Sequence, residues 1–240
     1  MPWTVDGLEY TTRLKLTIDE TKIDANLTDF PVLVKLTSTR LNFANSNSDG
    51  FDIRFTSSDE STLLKYERLR HDSVNSLAEY WVKVASVSGT VDTVFYMYYR
   101  TTDTADGADP TNVWDASFAA VYHLNGSYNG TAGEVKDSTA AAANGTATDP
   151  ATQVTGQISQ AQNFNGDTDY TTLTDLAAIN YQADFTTEIL ANTDGIGAKN
   201  FRTIWWKSDN IEIRHDTDNS LRQLNFNTKN KGIADVDIST

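Results

Sequence analysis

The chain has 240 residues, enough for one large or two modest domains that each bury a core without disulfide bonds. It contains no cysteine, which excludes disulfides, zinc–thiolate sites and thiol catalysis. Its formal net charge of −14 is shared by both halves and repels phosphate backbones, and no apolar segment approaches the roughly 20 residues of a bilayer span, so we expect neither nucleic-acid binding nor membrane insertion.

The first half shows the period-two alternation of strands with one solvent-facing side. In Tyr10–Ile18 the even positions Leu14, Leu16 and Ile18 are apolar and the odd ones between them are polar, and Phe51 to Phe55 alternates in the same way. FPVLVKL, LLKYERL and WVKVASV read as further strands, and TVFYMYYR as a strand that is apolar on both faces. Short strands separated by polar turns predict an antiparallel sandwich. Its expected core residues are Leu14, Leu16, Val32, Val34, Phe51, Ile53, Phe55, Val82 and Val84.

The composition changes near residue 110, which predicts two modules, residues 1–110 and 111–240. Residues 125–155 are rich in Gly, Ala, Asn and Thr, and we expect a surface loop there. Strands are then predicted at QAQNFNG, DYTTL, FTTEILAN, FRTIWWKS, NIEIRHD and LRQLNFNT, with turn residues between them. The predicted fold class is therefore all-β, with two antiparallel β-sandwich modules.

The order of segments resembles a known family. Five segments carry the resemblance, namely WTVDGLEYTTRLKLTI, LTDFPVLVKL, GFDIRFTSSDESTLLKYE, YWVKVASVSGTVDTVFYMYY and DPTNVWD. They resemble the DUF2341 family, a β-sandwich domain of undetermined activity in phage and prokaryotic surface proteins. Four segments follow, namely AAVYHLNGS, KDSTAAAANGTA, VTGQISQAQNFNGDTDYTTL and ADFTTEILANT. They resemble the opening of a LamG-like, concanavalin A-type jelly roll. The resemblance implies a jelly roll in residues 111–240 that stops at DVDIST, before its later strands. We expect either a fragment of a longer polypeptide or a jelly roll completed by a neighbouring subunit.

Glycoside hydrolysis, which some concanavalin A-type folds perform, needs a pair of carboxylates on one face. The second module contains only Glu134, Glu188 and Glu212, and they are isolated in sequence. His71, His123 and His215 are too scattered to predict a catalytic triad or a metal site, and His123 matches a position of the family motif VWHLN where packing is the plainer role. We therefore expect no enzymatic activity and no catalytic residues.

Two groups of residues are candidate binding sites. Asn165, Asp167 and Asp169 supply alternating oxygen atoms that could hold a calcium ion, although tight β-turns select the same residue types. No other cofactor is expected. Trp205 and Trp206 must point to opposite faces of a strand, and the exposed one could stack on a sugar or pack against a neighbouring subunit.

These observations favour a non-enzymatic structural or adhesive protein of a virus particle, namely a phage capsid decoration protein, head fibre or tail fibre component on the virion surface. The amino-terminal stretch lacks the pattern of a standard secretory signal, which agrees with this hypothesis. Its expected partners are other virion proteins, identical subunits or host-surface glycans. The alternative is an extracellular carbohydrate-binding module of a cell-surface adhesin or S-layer-associated protein, with the jelly roll as the lectin.

Overall fold

The computed structural model describes residues 2–100, 105–177, 179, 184–192, 201–207, 211–216, 222–226 and 235–237. Within these ranges the regular elements are β-strands and short 3₁₀ helices (Glu20–Lys22, Phe43–Asn45 and Pro110–Asn112), and the sheets do not close into a barrel. The strand pairs are antiparallel, which confirms the predicted all-β class. None of the described helices has the length and apolar character needed to cross a membrane.

Residues 2–100 form a unit that we call the sandwich. Two three-stranded sheets, in the orders β3-β8-β5 and β4-β7-β6, pack face to face around one apolar cluster. The strands of the sandwich are β1 (Trp3–Val5), β2 (Leu8–Tyr10), β3 (Thr12–Ile18), β4 (Leu27–Thr37), β5 (Arg54–Ser57), β6 (Tyr66–Asp72), β7 (Leu77–Val87) and β8 (Thr93–Tyr99).

The predicted core is confirmed in its main part. The predicted residues that are buried are Leu16, Val34, Ile53, Phe55, Val82 and Val84, and those that are half-buried are Leu14, Val32 and Phe51. The LLKYERL segment is also strand, since it contributes most of β6. Alternation is sufficient for these assignments because one face of each strand lies against the opposite sheet.

Strand β8 is buried on both faces, as its sequence predicts. Phe95 and Met97 face the core between the sheets, whereas Tyr98 points outward. The β1–β2 hairpin covers this outer face, where Tyr10 and Tyr98 pack edge to face with ring centroids 6.0 Å apart. The hairpin therefore gives an outward-facing aromatic side chain a second buried environment.

Strand β6 contains an irregularity in its pairing. Strand β4 keeps a constant register with β7 on both sides of Asp29, although that residue has a φ of +50°. In β6 the register shifts between Arg68 and Arg70. A bulge adds one residue to a strand and so reverses the face on which the following side chains lie.

Residues 113–237 form what we call the C-terminal region. Its strands are β9 (Thr146–Thr148), β10 (Thr152–Thr155), β11 (Gln160–Asn163), β12 (Tyr170–Thr172), β13 (Phe201–Lys207), β14 (Ile211–Asp216), β15 (Arg222–Phe226) and β16 (Asp235–Asp237). Strand β9 pairs with β12, β10 pairs with β11, and β13 to β16 follow one another in a four-stranded sheet.

Two expectations for this region need correction. Residues 125–155, predicted to be a surface loop, include β9 and β10 and bury Val135 and Ala147. Their small side chains allow close backbone pairing, as in the bridge between Val135 and Gly145. Residues 185–192, predicted to be a strand, have no strand structure.

Candidate functional site

The outer face of the β4-β7-β6 sheet carries a row of three charged side chains from neighbouring strands. Glu79 of β7 is fully buried, with Lys35 Nζ 3.1 Å from its Oε1 and Arg70 Nη2 2.9 Å from its Oε2. The backbone N–H of Ser159, in the β10–β11 turn, donates to Glu79 Oε2 at 2.7 Å. A buried carboxylate is stable only with such partners, so this contact ties the C-terminal region to the sandwich.

The next row of the same face centres on Glu67, which lies opposite Trp81 in the register and is also buried. Trp114 Nε1 donates to Glu67 Oε2 at 2.9 Å, and Ser138 Oγ donates to Oε1 at 2.6 Å. His123 Nε2 lies 3.0 Å from Glu67 Oε2. One carboxylate of the sandwich thus joins three side chains of the C-terminal region.

Aromatic rings cover the space between these two carboxylates. The Trp114 ring packs edge to face on Trp81, with centroids 5.3 Å apart, and on Phe118, at 5.2 Å. His123 lies on the same indole at 5.9 Å. We call this surface, with Glu67 and Glu79 and their partners, the junction. Because aromatic contacts exclude water from around the two carboxylates, their hydrogen bonds are stronger than exposed ones.

A hairpin folded around Asp137 presents Ser138 and His123 to Glu67. The Asp137 carboxylate accepts hydrogen bonds from the backbone N–H groups of Val121 at 2.9 Å, Thr139 at 3.0 Å and Ala143 at 2.9 Å. These bonds give partners to backbone N–H groups in a glycine- and alanine-rich segment that has few apolar contacts of its own. Asp137 is therefore a positioning residue for the junction.

The chemistry of the junction suits docking. In a serine–histidine–acid triad the histidine lies between the serine and the acid and takes the serine proton. Here Ser138 and His123 each contact Glu67, so the acid lies between them. This order differs from that of the triad, in which the histidine and not the acid contacts the serine hydroxyl.

Sequence reasoning missed the junction. The partners that the C-terminal region supplies to Glu67 and Glu79 are separated from them by 47 to 80 residues along the chain. The bulge in β6 also hides the row, because alternation alone places residues 67 and 70 on opposite faces. The available signal was the pair of Glu79 and Trp81 on the second face of β7, which is unusual for a solvent-facing strand.

The predicted tryptophan pair lies in β13. Trp206 is 64% exposed, whereas Trp205 is half-buried, and the pairing register shifts between Thr203 and Trp205. The exposed indole has the accessibility that a sugar-stacking platform requires. Carbohydrate binding by Trp205 and Trp206 stays a prediction.

The predicted calcium ligands form a tight turn. Asn165 Oδ1 accepts hydrogen bonds from the backbone N–H groups of Asp167 at 2.7 Å and Thr168 at 3.0 Å, and Asn165 Nδ2 donates to Asp169 Oδ1 at 2.7 Å. These contacts are typical of an Asx turn. Calcium binding by Asn165, Asp167 and Asp169 also stays a prediction.

Other carboxylates are distributed as follows. Glu134 accepts hydrogen bonds from the backbone N–H groups of Asn129 and Gly130, both at 2.8 Å, and Glu188 is exposed. The side chain of Glu212 lies outside the described residues. Asp19, Glu20 and Asp92 form a group of three carboxylates, where the hydrogen bond with Asp92 raises the pKa of Glu20.

Comparison with known proteins finds a family match for one part of the chain. Neither a curated protein nor a solved structure matches the chain. The family match that was found runs from before β5, through β6, β7 and β8, and into the segment that carries Trp114 and His123. It therefore includes the Glu67 contacts to these two side chains. Residues 49–132 match the family described as a domain of unknown function, DUF2341.

Proposed function

We propose that this protein is a non-enzymatic structural or adhesive component of a virus particle, such as a phage capsid decoration protein, head fibre or tail fibre component. The observation that carries the proposal is the distribution of exposed apolar side chains. In the described part of the C-terminal region the exposed large apolar residues are Val154, Phe164, Tyr170, Ile189, Leu190, Ile204 and Trp206. Neighbouring subunits of a particle would cover such a surface.

The junction supports the same proposal. It fixes the C-terminal region on the sandwich through buried carboxylates and an indole packed edge to face, which suits a component that holds neighbouring parts of a particle in place. The acidic surface, with a formal net charge of −14, favours contacts with virion proteins over nucleic acid. We also propose that the C-terminal region is the opening part of a LamG-like, concanavalin A-type jelly roll, which its antiparallel pairs support.

Immunogold electron microscopy tests the location. Antibodies raised against the purified chain should label capsids or tails of particles released from cells that express the gene. A matched preparation from cells in which the gene is deleted should lose the label. Gold label on the cell envelope and none on the particles would contradict the proposal and favour the alternative.

The alternative is a carbohydrate-binding module of an adhesin or S-layer-associated protein, which the exposure of Trp206 favours. A glycan array would then show binding that Trp206→Ala abolishes. Substitution of Trp3, a half-buried tryptophan that packs against Tyr98 in the sandwich, is the matched control and should leave sugar binding intact. Array binding that survives Trp206→Ala would exclude this site.

A further inference from the structure

The lateral edges of the sandwich are covered unequally. On one side Leu64 N donates to Phe55 O of β5 at 2.9 Å, and Asp109 N donates to Tyr66 O of β6 at 2.8 Å. On the other side, within the described residues, β4 pairs with β7 alone. An edge strand with free backbone groups is a template for another strand.

A groove of about 340 Å³ runs beside this open edge, between β3 and β4. The side chains that line it include Leu16, Ile18, Val32, Val34, Leu36 and Phe95. The first part of β4 is unsuited to further pairing, because Asp29 has a positive φ, outside the extended backbone of a strand, and Pro31 lacks an N–H. On the opposite side of the groove Arg40 Nη2 donates to Lys15 O of β3. The stretch Val32–Leu36 is therefore the better template.

The C-terminal region contains a segment with the character of a strand and no strand structure. Residues 185–192 read FTTEILAN, a sequence that predicts a strand. Leu190 is 71% exposed and Ile189 is 41% exposed, and Glu188 is also exposed. Burial of these apolar side chains against a second surface would contribute about 25 cal/mol for each Å² removed from water.

We propose that residues 185–192 of one copy pair as an added antiparallel strand with Val32–Leu36 of a second copy, with Ile189 opposite Val34. In that register Ile189 and Ala191 face the groove beside Val34 and Val32. Leu190 then lies opposite Leu33 on the outer face of the sheet. Main-chain hydrogen bonds supply the affinity of such strand addition, and the alternate side chains supply the specificity.

Charge complementarity selects this register. It places Glu188 opposite Lys35, whose side chain is 45% exposed although it contacts Glu79. Lysine has three N–H donors, and Lys35 donates one of them to the carbonyl of Gln157 at 2.7 Å while its Nζ lies 3.1 Å from Glu79 Oε1. Another donor can reach Glu188. This attraction opposes the general repulsion between two chains of net charge −14.

The contact is head-to-tail, because the groove and the inserted segment are different surfaces. Such heterologous contacts build rings or filaments. This inference goes beyond the proposed function and holds whether or not the protein resides on a particle.

Disulfide trapping tests the register, and the absence of native cysteine makes the background clean. A Leu33→Cys chain mixed with a Leu190→Cys chain should give a disulfide-linked heterodimer, because directly opposed residues in antiparallel strands have Cβ atoms about 5 Å apart. A Leu33→Cys chain mixed with a Val74→Cys chain is the control, since Val74 is 90% exposed in a remote turn. Equal trapping in both mixtures, or a monomeric internal disulfide in the Leu33→Cys/Leu190→Cys double variant, would overturn the proposal.

Association of the full chain tests the charge pair. Light scattering on the wild type should show oligomers that grow with concentration, and Glu188→Lys should weaken association by roughly tenfold or more. Glu9→Lys makes the same charge change at an exposed position of β2 and should weaken it much less. A wild type that stays monomeric up to millimolar concentration would refute strand addition.

Discussion

The sandwich and the C-terminal region bury their apolar residues to very different extents. In the sandwich one cluster includes Phe55, Tyr80 and Met97, which are fully closed to solvent. In the described part of the C-terminal region the largest buried apolar side chain, Trp114, packs against the sandwich, and the others are no larger than valine, while Trp206 and Leu190 are exposed. A region of the second kind gains little stability from its own core, so its position depends on what it docks against.

The junction supplies that support, and Glu79→Ala should have the largest effect. The substitution leaves the half-buried Arg70 without its partner and removes the acceptor of the Ser159 N–H, so we expect a loss of about 3–5 kcal/mol in the free energy of unfolding. Chemical denaturation of the full chain measures it. Glu9→Ala, at an exposed position of β2, is the control and should change stability by less than about 0.5 kcal/mol. Equal effects would show that the row of charges is dispensable.

Trp114→Ala should separate the two regions. It removes the contacts with Trp81 and Phe118 and a hydrogen-bond donor to Glu67, which predicts a loss of about 3 kcal/mol. Limited proteolysis should then cut the C-terminal region before the sandwich. Trp206→Ala, at an exposed indole, is the matched control and should preserve the digestion pattern. Simultaneous cleavage of both regions would contradict the idea that the sandwich is stable alone.

A pair of glycines compares packing in the two regions directly. A methyl group on Gly50 would lie 2.7 Å from His71 Cγ, whereas one on Gly130 would meet its nearest atom at 3.7 Å. Both glycines have positive φ, so the backbone strain on substitution is similar. Gly50→Ala should therefore lower the free energy of unfolding by about 1–3 kcal/mol. This loss should be larger than that of Gly130→Ala, and the difference should come from the steric clash alone. Thermal melting of the two variants measures the difference, and equal losses would show that backbone strain dominates.

The smallest expected effect is a pH dependence that originates in the sandwich. Burial lowers the pKa of the His71 imidazole, and the nearby Arg68 lowers it further. Its two ring nitrogens contact Tyr80 Oη at 2.5 Å and Ser46 Oγ at 3.0 Å, which suits the neutral ring. The unfolded chain therefore binds the proton more tightly than the folded one. The contribution of the neutral His71 ring to the free energy of unfolding should be fully present above the unfolded pKa of about 6.5. It should fall as the pH drops below that value.

His71→Gln checks this dependence, because glutamine retains a donor and an acceptor but does not titrate. Its stability should vary less than that of the wild type between about pH 6.5 and pH 5. Parallel slopes for the two proteins would assign the acid sensitivity to other groups.

The sequence by itself determined the strands of the sandwich and the face that each turns to its core. Period-two alternation carries this information, because a shift of one residue along a strand moves every side chain to the other face. It correctly placed Val34, Phe55 and Val82 in the core. The apolar character of β8 on both faces was readable for the same reason, although its cover, the β1–β2 hairpin, was not.

Only the tertiary structure decided how the C-terminal region sits on the sandwich. The bulge between Arg68 and Arg70 brings Glu67 and Arg70 to one face, against the simple alternation. Ser138 and Ser159 reach the buried carboxylates across 71 and 80 residues of chain. Such contacts leave no periodic trace, because each depends on where a distant backbone passes. Local patterns report which face is buried, whereas the partner that buries a charged group is set by the packing of the whole chain.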